Sequence, residues 1–239
     1  MPKRRDLSLE LRFEDTREKK DSEITRFSLE EIKRHFEENL AHIQHQYIVA
    51  QRLISEGNFD DGENIWRSQI IFLDSAFDFY LHEITQYGLR RIFLDYWEKT
   101  EKYNNLKVKM PFLEKAIEGV DDKAWFDEYT NREFSQVPMM SYEVVKDQLN
   151  LLGINAQKIA DEAFYCMGAT EKTLDKLKRR ISELYSRRNL IAHQSDRKLH
   201  NAEREKISED EVKEFVEDIK KIVYSIHRAV TEKDKEIVN

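Results

Sequence analysis

Residues that interrupt helices are scarce in this sequence. Its 239 residues include six Gly and three Pro, whereas Lys, Arg, Asp and Glu make up 36%. Because glycine and proline destabilise helix interiors, this composition favours long helices joined by short connections. The predicted fold class is all-α, and the chain is long enough to bury a substantial core.

The sequence also has one cysteine and no long apolar run. Cys166 has no second cysteine with which to form a disulfide within the chain, and we expect it to be a small core residue. No apolar stretch approaches the roughly 20 residues of a membrane-spanning helix, and the N-terminus lacks the apolar core of a signal peptide. These absences predict a soluble, cytoplasmic protein with no membrane partner.

Negative charge predominates, but it is unevenly distributed. The formal net charge is −7, which by itself argues against a nucleic-acid partner. The segment from Lys172 to Lys198, however, has nine cations and three anions, a local charge of +6. A solvated helix face is the ordinary explanation for such a run, but its position around the motif described below favours an RNA-binding surface.

Capping signals and apolar spacing predict two long helices at the start of a single helical domain over residues 28–239. Ser28-Leu29-Glu30-Glu31 is a capping box, so a helix should run from there to about Glu56. A second, largely buried helix should follow Gly62, and Gly88 is expected to interrupt it.

Shorter helices and a C-terminal helix are predicted for the remainder of the domain. Pro111, Ser141 and Gly153 are start and stop signals between about residues 100 and 170. A basic helix should run from Thr170 toward His193, followed by a polar loop. Ser208-Glu209-Asp210-Glu211 is a second capping box, which should begin the last helix.

Residues 1–27 are predicted to be a charged N-terminal arm. Leu7, Leu9, Leu11 and Phe13 alternate with polar residues, which is the period of a β-strand. Three alternatives fit this pattern: a flexible arm, an irregular segment packed on the helices, or a strand that pairs with a second copy. The first two are favoured, because a lone strand has no partner in its own chain.

The segment Arg187-Arg188-Asn189-Leu190-Ile191-Ala192-His193 carries the clearest chemistry. Attack of a ribose 2′-hydroxyl on its phosphate needs proton transfer, for which His193 is the candidate acid or base. The planar guanidinium of Arg188 can stabilise the developing phosphorane charge. Arg187 and Asn189 are candidates to orient the phosphate or the histidine.

The spacing of the motif has a geometric consequence. Side chains five residues apart on a continuous helix point about 140° away from each other. Arg188 and His193 can therefore act on one phosphate only if the helix ends before His193 or if two copies complete the site.

With this motif the sequence resembles the HEPN (higher eukaryotes and prokaryotes nucleotide-binding) superfamily, and within it the ribonuclease-L-like RiboL-PSP family. Arg188, Asn189 and His193 match the family's motif positions, and residues 67–84 are similar to its long helix, within a resemblance that covers about residues 60–230. The resemblance implies a HEPN-type helical bundle and metal-independent RNA cleavage without a cofactor. It also implies a homodimer whose motifs face a shared cleft, in a toxin or phage-defence effector with an antitoxin or regulatory partner.

One position departs from relatives that are silenced by modification of a Tyr two residues after the His. Ser195 stands there in this sequence, so that form of regulation is not implied.

Further site residues are proposed from charge and position. The predicted RNA-binding side chains are Lys176, Arg179, Arg180, Arg187 and Arg197. Asp74, Asp78 and Glu83 lie in or beside an apolar helix and must have partners, so one of them could bind Arg188 or orient His193, although structural ion pairs are the commoner role of such groups. No metal site is predicted, because no carboxylate follows His42 and His45 in ligand register.

Two other functions fit the same residues. The chain could be a HEPN-like module that binds RNA, a nucleotide or a protein without cutting, or a scaffold in which the Arg–His pair is structural. Solvent accessibility of His193 separates these from a nuclease.

Overall fold

The computed structural model describes residues 26–119, 123–134 and 137–235. Nine helices lie in these ranges: α1 Leu29–Ser55, α2 Phe59–Phe93, α3 Glu101–Asn104, α4 Met110–Glu118, α5 Ala124–Phe134, α6 Tyr142–Leu151, α7 Ala156–Phe164, α8 Thr173–Gln194 and α9 Glu209–Lys235. The described residues include no strand, only an isolated bridge between Arg197 and Arg204. The all-α prediction is confirmed. The Leu7–Phe13 alternation lies outside the described residues.

Helices α1 and α2 form a long antiparallel hairpin. The predicted capping box is present, since Ser28 accepts a hydrogen bond from the Glu31 backbone while the Glu31 carboxylate accepts one from Ser28. One face of α1 is buried through Ile32, Phe36 and Leu40. Helix α2 begins at Phe59, before Gly62, and buried residues recur along its whole length, so it is the central helix of the fold.

The predicted interruption at Gly88 is wrong, because α2 continues through it to Phe93. A Cβ atom on Gly88 would lie 2.6 Å from the Leu152 side chain and 2.8 Å from the Trp97 ring. Glycine is therefore required here by close packing of neighbouring elements, not by a break in the helix.

The start signals of the later helices are confirmed, with one difference. Pro111 lies in the first turn of α4, Ser141 caps α6, and Gly153 follows α6 with a φ of 70°. Ser208 accepts a hydrogen bond from the Glu211 backbone. The Glu211 carboxylate does not complete this second capping box, because it binds Arg187 of α8.

Helices α8 and α9 pack against α2, and α7 packs against α8 and α9. The buried face of α9 includes Val212, Ile219 and Ile226, and α8 contributes Leu177, Ile181 and Leu184. This packing places the last turns of α8 against α2 and the start of α9. No helix in the described ranges is long and apolar enough to span a membrane.

The prediction that Cys166 is a core residue is wrong. Cys166 is exposed, because it lies in the turn after α7 and not in a helix face. Phe72 and Phe79 are 50% and 46% exposed, whereas Phe77 and Tyr80 of the same helix are buried. Phe72 and Phe79 lie on the side of α2 that faces away from α8 and α9.

Candidate active site

The motif lies in the last two turns of α8. The helix continues past His193 to Gln194 and ends at Ser195, whose φ is 52°. The backbone of Asp196 is also in the left-handed conformation, with a φ of 58°. Its N–H donates to the Leu190 carbonyl at 3.0 Å. The alternative in which the helix ends before His193 is therefore excluded. Arg188 and His193 diverge by about 140° around one helix.

A buried carboxylate anchors the end of α8. Asp196 is 0% exposed, and Nε of Arg67 on α2 donates to its Oδ2 at 2.6 Å. Arg187 donates to both oxygens of Asp196, and its Nε lies 3.1 Å from Glu211 of α9. Because an unpaired buried carboxylate would be strongly unfavourable, these two arginines fix the turn that follows His193.

Arg188 lies against α2. Its Nε is 3.0 Å from Oδ2 of Asp74, and the exposed fractions of the two side chains are 30% and 2%. The Nη1 atom donates to Oδ1 of Asn189 at 2.9 Å. The guanidinium is thus held on one side and still reaches solvent on the other, which leaves donors free for a phosphate.

The Asp74 carboxyl has an unusual titration. Burial raises its pKa to about 7, the Arg188 guanidinium opposes this shift, and the nearby Asp78 charge adds to it. The charge on the group that holds Arg188 therefore changes near neutral pH.

His193 is exposed in the last turn of α8, and its ring makes no hydrogen bond or ion pair to any described residue. A histidine retained for structure would be expected to use its ring nitrogens within the fold. The accessible ring is compatible with proton transfer to a bound substrate.

The RiboL-PSP-HEPN family model matches residues 38–232. The chain belongs to the RiboL-PSP-HEPN family. Searches of curated proteins and of solved structures returned no significant match. The matched range includes α2, α8 and most of α9, which together hold the motif.

The other two carboxylates have partners outside the motif. Asp78 accepts a hydrogen bond from the Met139 backbone at 2.6 Å and is 3.5 Å from His82. Glu83 is 2.8 Å from Nδ1 of His35. Asp78 acts on the motif through its charge, which raises the pKa of Asp74.

Two of the predicted RNA-binding arginines are engaged inside the HEPN domain. Arg180 is 5% exposed and donates to Asp218 at 2.5 Å. Arg187 is held by Asp196 and Glu211 as described above. These ion pairs engage both guanidinium groups and hold α8 against α9 and the turn that follows it.

The remaining predicted RNA-binding side chains lie nearer to solvent. Arg179 is exposed and paired with Glu171 and Glu183. Lys176 lies 5.0 Å from the centre of the Phe164 ring, and Arg197 donates to the Ala202 carbonyl. Neither has a carboxylate within ion-pair distance in the described ranges, so they are the cations in this set most open to a polyanion.

The basic segment is partly neutralised by the fold. Its cations Lys178, Arg179, Arg180, Arg187, Arg188 and Lys198 each lie within 4.0 Å of a carboxylate. Some of these acids, including Asp74 and Asp218, come from other helices. The local charge of +6 expected from the sequence segment alone is therefore too high for the folded surface.

Arg67 and Asp196 were missed by sequence reasoning, although both determine the position of the motif. They are 129 residues apart in the chain and meet only in the folded structure. An Arg in an otherwise apolar helix was the one available signal for Arg67. No group of His, Cys, Asp and Glu in the described ranges could hold a metal ion.

Proposed function

We propose that this HEPN protein is an endoribonuclease that cleaves RNA without a metal ion, with Arg188 and His193 as its catalytic pair. One observation carries the proposal. The motif combines an exposed His193 with an Arg188 that a buried carboxylate holds in place while leaving it 30% exposed. Asp74 is then a positioning residue, since it acts through Arg188.

The proposed reaction is an internal transfer at one phosphate. The ribose 2′-hydroxyl loses its proton, the 2′-oxygen bonds to phosphorus, and the bond from phosphorus to the 5′-oxygen breaks. A proton is delivered to the departing oxygen, and the products have 2′,3′-cyclic phosphate and 5′-hydroxyl ends. His193 transfers a proton, and Arg188 stabilises the negative charge on the phosphorane oxygens.

A homodimer with composite sites is part of the proposal. One α8 points Arg188 and His193 in different directions, because the helix is continuous across both. A two-fold dimer would bring Arg188 of one copy to His193 of the other. Asn189 and the open cations Lys176 and Arg197 would contact the same RNA strand.

The biological role we propose is that of a toxin or phage-defence effector, controlled by an antitoxin or another regulatory partner. The family resemblance supports this role, and so does the chemistry, since an accessible ribonuclease site in a cell requires control.

The test is cleavage of a mixed RNA pool in EDTA by the unaltered protein, His193→Ala and Arg188→Ala, with His200→Ala as a matched control on the loop after α8. We expect loss of about 10²-fold or more in cleavage rate for the two motif variants, as for loss of a general acid or base or of a charge-stabilising donor. The control should cleave normally. Equal cleavage by all four proteins would contradict the assignment.

Binding without cleavage is the alternative, and the same proteins distinguish it. The Arg188–Asp74 ion pair is the observation that favours this alternative, because it occupies part of the guanidinium that would otherwise contact a phosphate. If all four proteins bound RNA and none of them cleaved it, the proposed function would be RNA binding and not RNA cleavage.

A further inference from the structure

The loop that follows α8 holds two exposed arginines side by side. Arg197 and Arg204 form an isolated antiparallel bridge. The backbone N–H groups of the next residues, Lys198 and Glu205, each donate to a carbonyl on the opposite side of the loop, at 2.9 and 2.8 Å. These bonds flank the bridge, so the two arginines are a non-hydrogen-bonded pair, whose Cα atoms lie about 4.5 Å apart and whose side chains are close.

This arrangement of charges is unfavourable without a ligand. Like charges directly opposite each other on antiparallel backbone are destabilising. Both arginines are exposed, and neither has a carboxylate within 4.0 Å among the residues that the structure describes. Nη1 of Arg197 donates to the Ala202 carbonyl at 2.6 Å, which leaves its other donors and those of Arg204 to face solvent. An anion between the two guanidinium groups would replace their repulsion with charge-assisted hydrogen bonds.

The acidic side chains of the loop have other partners. Glu205 lies 3.6 Å from Lys198, and Glu203 accepts a hydrogen bond from Asn201 at 2.7 Å. Side chains alternate between the two faces of extended backbone, so both glutamates point away from the face that carries Arg204. The face with the two arginines is therefore positive.

Two other arginines fix the base of this loop. Arg67 and Arg187 both bind the buried Asp196. They also donate to the backbone carbonyls of Glu205 and Lys206, at 2.9 and 3.0 Å. Both ends of the loop are thus fixed to the turn that follows the HEPN motif. A pair of cations held in this way loses little conformational freedom when it binds a ligand.

The arginine pair lies close to the candidate active site along the chain. Arg197 follows His193 by four residues, which can span at most about 14 Å. The turn shortens this distance, since the Arg197 N–H donates to the Gln194 carbonyl at 3.1 Å. An RNA strand with one phosphate at His193 can therefore bring a neighbouring phosphate to the pair.

We propose that Arg197 and Arg204 form a clip that binds one phosphate of the RNA backbone, next to the phosphate that is cleaved. The identity of the polyanion rests on the proposed function. The substrate is then a strand that extends beyond the cut site. The clip holds RNA of any sequence, because a phosphate contact carries no information about the base.

The salt dependence of RNA binding tests the clip. A fluorescent single-stranded RNA oligonucleotide is titrated with the His193→Ala protein at several salt concentrations, so that no RNA is cut. Each phosphate contact with a single strand contributes about 0.7 to the slope of log K against log salt. We expect Arg197→Gln together with Arg204→Gln to lower the slope by about 0.7 and to weaken binding about 10-fold or more. Each single variant should bind more weakly but keep most of the slope, because the other arginine still contacts the phosphate.

The matched control removes two other exposed arginines and so makes the same change in net charge. Arg34→Gln is combined with Arg228→Gln, since these side chains are paired with Glu38 and Glu162. The control should retain both affinity and slope. Equal losses in the two double variants would mean that net charge alone determines binding, and this would overturn the proposal. A slope that falls by about 0.7 in each single variant would show two separate phosphates and would also overturn it.

A reversed charge separates binding from folding. Arg204→Glu places opposite charges across the bridge, which stabilises antiparallel backbone. We expect this variant to have a Tm no lower than that of the unaltered protein and to bind the oligonucleotide at least as weakly as Arg204→Gln. A lower Tm with unchanged RNA affinity would make the pair a structural element and overturn the clip.

Failure of the clip and failure of the nuclease give different results. RNA binding that depends on both arginines, in a protein that never cleaves RNA, would support the clip and contradict the proposed nuclease. Cleavage by the unaltered protein, with clip variants that bind RNA like the control, would overturn the clip alone.

Discussion

Asp74 is a single residue in which burial and charge oppose each other. Its side chain is 2% exposed, and Arg188 is its ion-pair partner. Burial dominates, so the folded-state pKa of about 7 lies above the ordinary value of the carboxyl group. A raised pKa means that the folded protein binds this proton more tightly than the unfolded chain.

The pH dependence of stability follows from that sign. The contribution of Asp74 to the free energy of unfolding should be fully present below about pH 4 and lost as the pH rises through about 7. The side chain of Asp74→Asn cannot ionise, so we expect this variant to show no such loss of stability. Thermal unfolding of both proteins from about pH 4 to about pH 8 should show the variant gaining in relative Tm toward higher pH. A constant difference in Tm would contradict the raised pKa.

The planar shape of the Arg188 side chain leads to a second prediction at this scale. Lysine keeps the charge but cannot bind Asp74 and a phosphate with the same fixed donors. We expect Arg188→Lys to lower the cleavage rate about 10²-fold with little change in RNA binding. Arg34→Lys, at an exposed arginine of α1 paired with Glu38, is the matched control. Full activity of Arg188→Lys would mean that charge alone is sufficient.

Among the elements, α8 depends on contacts that are distant in sequence. Its final turn is held by Asp196, which is fully buried between Arg67 and Arg187. Removal of one partner of a buried ion pair typically costs about 3–5 kcal/mol. We expect Asp196→Ala to lower the free energy of unfolding by about that amount and to reduce cleavage, because the His193 turn loses its anchor.

Chemical denaturation measures this effect, with Asp175→Ala as the control, since Asp175 is exposed in the first turn of α8. An equal, small loss of stability in both variants would show that the Asp196 contacts do not fix the turn.

Local signals predicted the helices well, and long-range contacts explain most differences. Capping residues such as Ser28 and Ser141 act within one turn, so the sequence alone indicates the helix starts. The prediction at Gly88 was wrong because glycine is needed there for close packing against Leu152, a residue from another part of the chain. Arg188 and His193 could be predicted from the basic, helical context of their motif and from the family resemblance. The partners of Arg187 and Arg188 could not, since they come from α2, α9 and the turn after α8.

For the whole molecule, the continuous α8 makes the dimer a requirement of the proposed chemistry. If each site takes Arg188 from one copy and His193 from the other, a mixed dimer of Arg188→Ala and His193→Ala has one intact site. An equal mixture that exchanges freely has half its dimers mixed, so we expect about a quarter of the unaltered activity.

Each variant alone should be inactive, and cleavage assays before and after mixing measure the recovery. No recovery despite demonstrated subunit exchange would place both residues of a site in one copy.

The most direct test of the central claim is the chemistry of cleavage itself. The full protein is incubated in EDTA with an RNA oligonucleotide that it cuts, and with the same oligonucleotide carrying a single 2′-deoxy nucleotide at the cut position. Attack by the 2′-oxygen predicts 2′,3′-cyclic phosphate ends from the first and no cleavage at that position in the second. Cleavage of the 2′-deoxy substrate at the same position, or 3′-hydroxyl ends from the RNA, would contradict the proposed reaction.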